Sequence, residues 1–216
     1  MTQVSAEAVL GIWNQAVPIW NVVGLPALMV VVTVVSLRRG IARADRRGIV
    51  RRIGLIEYAL AVWWLVRIVS EVWAARSQGL AQANPPVLVF GLVTSLGNAV
   101  LGFGLRRLWK PARWLTVAWT LTGGALAVLS TVLFSLNAAI DPTEWPRHVL
   151  PILLPAFVLW TLVQPSTARV FENRDDDRPS VALALGSRLF LVVAASGVVV
   201  DALDWALRAV VEVTEA

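Results

Sequence analysis

Residues 53–75, IGLIEYALAVWWLVRIVSEVWAA, are long and apolar enough to cross a bilayer, yet they carry Glu57, Arg67 and Glu71. A helix rises ~1.5 Å per residue and the hydrocarbon layer is about 30 Å thick, so such a run reads as a membrane span. Charges inside a span are costly to desolvate and therefore have to be accounted for. At 100° per residue, Arg67 falls about 80° and Glu71 about 40° from Glu57, on the same side as Trp64. All three charges share one face, which predicts that this face meets other helices, a partner subunit or a wet cavity rather than lipid. Arg67 and Glu71 are spaced to pair along the helix, although base before acid is the weaker order. Glu57 has no partner within its own helix. It either reaches the headgroups or needs a group from elsewhere.

The remainder of the chain repeats the theme. Of its 216 residues, 57 % are hydrophobic and 15 % charged, with a mean hydropathy of +0.70, which is too apolar for a soluble domain. The expected fold is all-α, a single polytopic transmembrane helical bundle of about six spans with short loops. The spans fall at about 17–37, 53–75, 87–105, 114–138, 149–165 and 181–200, and 201–216 forms an amphipathic tail. Pro18, Gly24 and Pro26 interrupt the first span and predict a bend there. Residues 6–16 read as a short interfacial helix. Glu7 is the only charge in the first sixteen residues, so no cleavable signal is expected.

Charge placement orients the spans. Arg38, Arg39, Arg43, Arg46, Arg47, Arg51 and Arg52 crowd the segment 38–52 against one acid, Asp45. Arg106, Arg107, Lys110 and Arg113 crowd the next loop on that side, and Arg169, Arg174 and Arg178 the third. These loops hold fourteen of the nineteen basic residues, whereas the opposite loops hold Arg76 and Arg147. By the positive-inside bias they are cytoplasmic, with both termini outside. The seven arginines of 38–52 serve topology, or bind anionic lipid headgroups. The net charge of +5 is thus a matter of topology, and no nucleic-acid partner is expected. Eighteen arginines against one lysine fit a GC-rich bacterial source, hence a bacterial cytoplasmic (inner) membrane.

Packing signals are strongest in 87–105. Gly91, Thr94, Ser95, Asn98 and Gly102 share one side, and small, weakly polar seams let helix backbones approach. Asn98 is the natural companion for Glu57 or Arg67. Thr116, Thr120, Gly123, Gly124, Ala127 and Thr131 repeat the habit in 114–138. Of the eleven tryptophans, Trp20, Trp109, Trp114 and Trp145 suit an interfacial belt, while Trp63, Trp64, Trp119 and Trp160 lie deeper as packing groups.

Signals for chemistry are sparse. The chain has no cysteine and a single histidine, His148, placed in an acidic loop with Asp141 and Glu144. A zinc site needs more ligands than that. Asp175, Asp176 and Asp177 form a run without calcium-hand spacing, and no P-loop, hydrolase elbow or dinucleotide fingerprint occurs. The expectation is therefore no metal, no cofactor and no enzyme. It is a non-catalytic structural or accessory subunit of a larger membrane complex, partnered by the lipid bilayer and by other membrane subunits or further copies of itself. Glu57, Arg67, Glu71 and Asn98 are the expected polar seam. The alternative is a small channel or transporter whose polar path runs along the second and third spans.

Overall fold

The computed structural model describes residues 6–38, 45–77, 85–137, 145–172 and 179–215. Among these every element is helical: α1 (Ala6–Ile19), a π turn (Trp20–Gly24), α2 (Leu25–Arg38), α3 (Arg46–Ser77), α4 (Pro85–Arg106), α5 (Lys110–Asn137), α6 (Trp145–Val163), α7 (Pro165–Val170) and α8 (Val181–Glu215). Five stretches are long and apolar enough to cross a membrane: Ala8–Arg38, Arg46–Trp73, Pro85–Arg106, Lys110–Leu133 and Val181–Arg208. The sixth expected span is not among these five; among the described residues α6 contributes a shorter apolar stretch, Ile152–Val163.

Several boundaries depart from the sequence reading. α1 is not a separate interfacial helix but runs through the π turn into α2. The cause is local: Pro26 has no N–H to give, and the Leu25 N–H bonds the Trp20 carbonyl five residues back. The Trp20 ring then lies where a side chain at Gly24 would be, since a Cβ there would stand 2.3 Å from it. Arg46, Arg47, Arg51 and Arg52 belong to α3 rather than to a loop. The Asp45 carboxylate accepts the Gly48 N–H at 2.8 Å, so the one acid of the basic segment starts that helix. Its negative charge also offsets arginines at the positive helix end. His148 lies within α6, not in a loop, and the expected tail continues α8 without a break.

α3 is the central element, packed along α4 and α8. Contacts between side chains fix the helix directions. Ser95 meets Ala61 and Gly102 meets Gly54, so α3 and α4 are antiparallel. Arg52 meets Ser187 and Trp63 meets Asp201, so α3 and α8 are parallel. Trp13 meets Asp204 and Trp20 meets Ser196, so α1 and the π turn run against α8. Arg113 meets Leu162 and Gly124 meets Pro155, so α5 and α6 are antiparallel.

Among the described residues a buried apolar cluster joins Ile49, Val50 and Ile53 to Leu105, Ala112, Val117, Phe157, Leu162, Leu183 and their neighbours. It lies at the basic end of the bundle, where α3, α5 and α8 begin and α4 and α6 finish. Away from that end the apolar side chains turn outward, as Val31, Leu96, Leu129 and Val199 do. Lipid tails are as apolar as a leucine core, so such faces are stable in a bilayer. Several hydroxyls are satisfied within their own helices, Thr33 on the Met29 carbonyl and Thr116 on that of Ala112.

Candidate functional site

The α3–α4 seam is built on two glycines. A Cβ on Gly54 would stand 2.8 Å from the Gly102 carbonyl oxygen, and one on Gly102 would stand 2.7 Å from that of Gly54. Neither position admits a side chain unless the backbones separate. Further along, the Ser95 hydroxyl donates to the Ala61 carbonyl at 3.0 Å, and Gly91 leaves room for Ile68, which a Cβ would approach to 2.8 Å. Gly91, Ser95, Asn98 and Gly102 are all buried, as the small-residue pattern predicts, while Thr94 bonds its own helix.

Glu57 sits in this seam between the Gly54–Gly102 and Ala61–Ser95 contacts and is 3 % exposed. Among the described residues its carboxyl group has no hydrogen-bond or ion-pair partner. Asn98, equally buried, does not serve Glu57 or Arg67: its Oδ1 accepts the Trp119 Nε1–H at 2.8 Å. Trp119 reaches it across Gly97, where a Cβ would stand 2.9 Å from the ring. The amide therefore joins α4 to α5.

The other two charges of the span lie elsewhere. Arg67 is exposed, with its guanidinium 4.9 Å from the centre of the Trp63 ring. Glu71 is half-buried, and no ion pair joins it to Arg67 among the described residues. Trp63 in turn donates to Asp201 of α8. A single face in the sequence thus becomes one buried carboxylate side chain and one outward guanidinium resting on an aromatic ring.

The basic segment is similarly divided. Arg38 and Arg51 are exposed; Arg39 and Arg43 lie outside the described residues, as do Asp141, Glu144 and the run Asp175–Asp177. Arg46 donates to the Gln164 side chain at 3.1 Å, and Arg52 donates to the buried Ser187 hydroxyl at 3.0 Å. Arg47 is half-buried. Part of this cluster therefore locks α3 to the α6–α7 junction and to α8.

Two features escaped the sequence reading. Arg113, 8 % exposed, donates its Nε–H to the Leu162 carbonyl at 2.7 Å and Nη2 to that of Val163 at 3.4 Å. It caps the negative end of α6 just before Pro165 starts a new helix. The second is a row of indoles on α8, where Trp13 donates to Asp204, Trp20 to Ser196 and Trp63 to Asp201. The signal was present, since half-buried indoles favour an acceptor for their N–H and Asp201 and Asp204 lie one turn apart.

Among the described residues, no three His, Asp or Glu side chains come together as a metal-binding group. The chain matches no protein family, no curated protein and no solved structure.

Proposed function

We propose that this chain is a non-catalytic integral membrane protein that crosses a bacterial cytoplasmic membrane six times and serves as a structural or accessory subunit of a larger membrane assembly. Helix direction supports six crossings. α8 runs parallel to α3, so an odd number of crossings separates them, and α4, α5 and α6 supply three. The nineteen residues of α6 rise about 28 Å, close to the thickness of the apolar layer. Both termini then lie outside, opposite the arginines.

The observation that carries the subunit reading is Arg67. It stands about 9 Å short of the end of the span at Trp73, faces outward, and has a ring rather than a carboxylate beside it. A guanidinium in that position is best satisfied by an acidic or carbonyl group on a neighbouring subunit. Meanwhile the α3–α4 seam is too close at its glycines to leave a path between them.

The test is purification from native membrane in gentle detergent, followed by native mass analysis of wild type, Arg67→Met and Glu57→Gln. Foreign subunits or further copies should accompany the wild type in fixed ratio, and Arg67→Met should reduce them about tenfold, as loss of a charged hydrogen bond implies. The second reading, a small channel or transporter, is favoured by one observation, the buried Glu57, which has no hydrogen-bond or ion-pair partner among the described residues. A bare monomer whose solute or proton flux in liposomes changes with Glu57→Gln would replace the subunit reading with it.

A further inference from the structure

The α4–α5 corner is built to present a cationic groove. The Trp109 N–H bonds the Gly104 carbonyl at 2.8 Å and the Leu108 N–H bonds that of Leu105 at 3.0 Å, the paired closure that ends many helices. The first of these two donors in the chain, Leu108, adopts a left-handed conformation that glycine usually supplies, with φ 55°. Ala112 presses so near Gly104 that a Cβ there would stand 2.5 Å from it. This tight corner leaves an open groove of about 800 Å3, walled by Val100, Phe103, Leu108 and Trp109 and edged by Arg107 and Lys110.

Val100, Phe103 and Trp109 are each more than half exposed. The exposed Arg107 guanidinium lies 5.1 Å from the centre of the Phe103 ring, at the rim of the groove. Among the described residues neither Arg107 nor Lys110 forms an ion pair. Glu172 is placed on the far side of Pro111, where it lines a separate, smaller groove with Lys110 and Arg113. The site thus has an apolar wall on the membrane side, two cations at headgroup level and an interfacial indole between them.

We propose that this groove binds an anionic phospholipid of the surrounding bilayer, its phosphate between Arg107 and Lys110 and one acyl chain along Val100 and Phe103. Charge complementarity selects the anionic headgroup. The apolar wall fits a lipid, whose acyl chain continues from the headgroup along Val100 and Phe103, where a free phosphate would make no contact. Each basic side chain near an anionic headgroup favours it about fivefold, so two should favour it about 25-fold.

The experiment uses the full chain in phosphatidylcholine bilayers carrying a small, equal fraction of either brominated phosphatidylglycerol or brominated phosphatidylcholine. The fluorescence of wild type minus that of Trp109→Phe isolates quenching at the groove. The expected result is strong preference for brominated phosphatidylglycerol, weakened about fivefold by Arg107→Gln or Lys110→Gln and abolished by both together, with helical circular dichroism retained. Equal quenching by the two lipids overturns the proposal. So does a preference that survives the double variant but is lost on neutralising Arg46, Arg47, Arg51 and Arg52, because that places the lipid on α3. Competition by inorganic phosphate at millimolar concentration would also overturn it in favour of a soluble anion.

Discussion

Gly102 shows how a single absent side chain organises this molecule. Its missing Cβ lets α4 lie directly on the Gly54 carbonyl of α3, and that approach encloses Glu57. Gly102→Ala should lower the thermal midpoint in detergent, because overpacking costs about 1–3 kcal/mol. Gly123→Ala should raise it by the ~1 kcal/mol that alanine gains over glycine in a helix, since nothing lies within 4 Å of a Cβ there. The two variants differ only in what surrounds the added methyl, so equal shifts would refute the close-contact account. The small-residue side of 87–105 was legible in the sequence because glycine, serine and asparagine recur at helical spacing. What each polar group bonds was not. Asn98 and Glu57 are at adjoining levels of one seam, yet the amide is taken by Trp119, which follows on another helix.

At the scale of elements, polar side chains decide where helices begin, break and end. Asp45 starts α3, the π turn absorbs Pro26, and Arg113 closes α6. Arg113→Met should cost about 1.5–3 kcal/mol, the range for hydrogen bonds to a charged group. Amide exchange should quicken in the last turn of α6 and in α7 while the α3–α4 seam keeps its protection. Uniform loss of protection would mean that Arg113 supports the whole fold instead of that helix end. The sequence marks 106–113 as basic, which leads to the expectation that it is cytoplasmic, and that reading treats its four cations alike. Tertiary packing distinguishes them: Arg106 lies 5.9 Å over Tyr58, Arg113 is buried as a cap, and Arg107 and Lys110 remain at the rim of a groove.

For the whole molecule, the absence of cysteine makes a topology test direct. Ser77→Cys and Arg147→Cys should react with a membrane-impermeant maleimide added to intact cells, whereas Lys110→Cys and Glu172→Cys should react only after permeabilisation. If Arg147→Cys and Glu172→Cys label together, α6 does not cross, and the six-span topology and the parallel direction of α3 and α8 cannot both stand. The helical class, the apolar spans and the segregation of arginines to one side follow from local pattern, because a bilayer forces backbone hydrogen bonds inside each helix whatever its neighbours are. The count of spans at α6 was less legible, since prolines and a short apolar run weaken the periodic signal there. The pairing of helices is a different kind of information. Apolar faces are nearly interchangeable in lipid, so hydropathy says little about which of them meet. Tertiary structure alone buried Glu57, left Arg67 outside and set three indoles on α8, because those outcomes depend on close approach and hydrogen-bond geometry between residues more than a hundred positions apart or on separate helices.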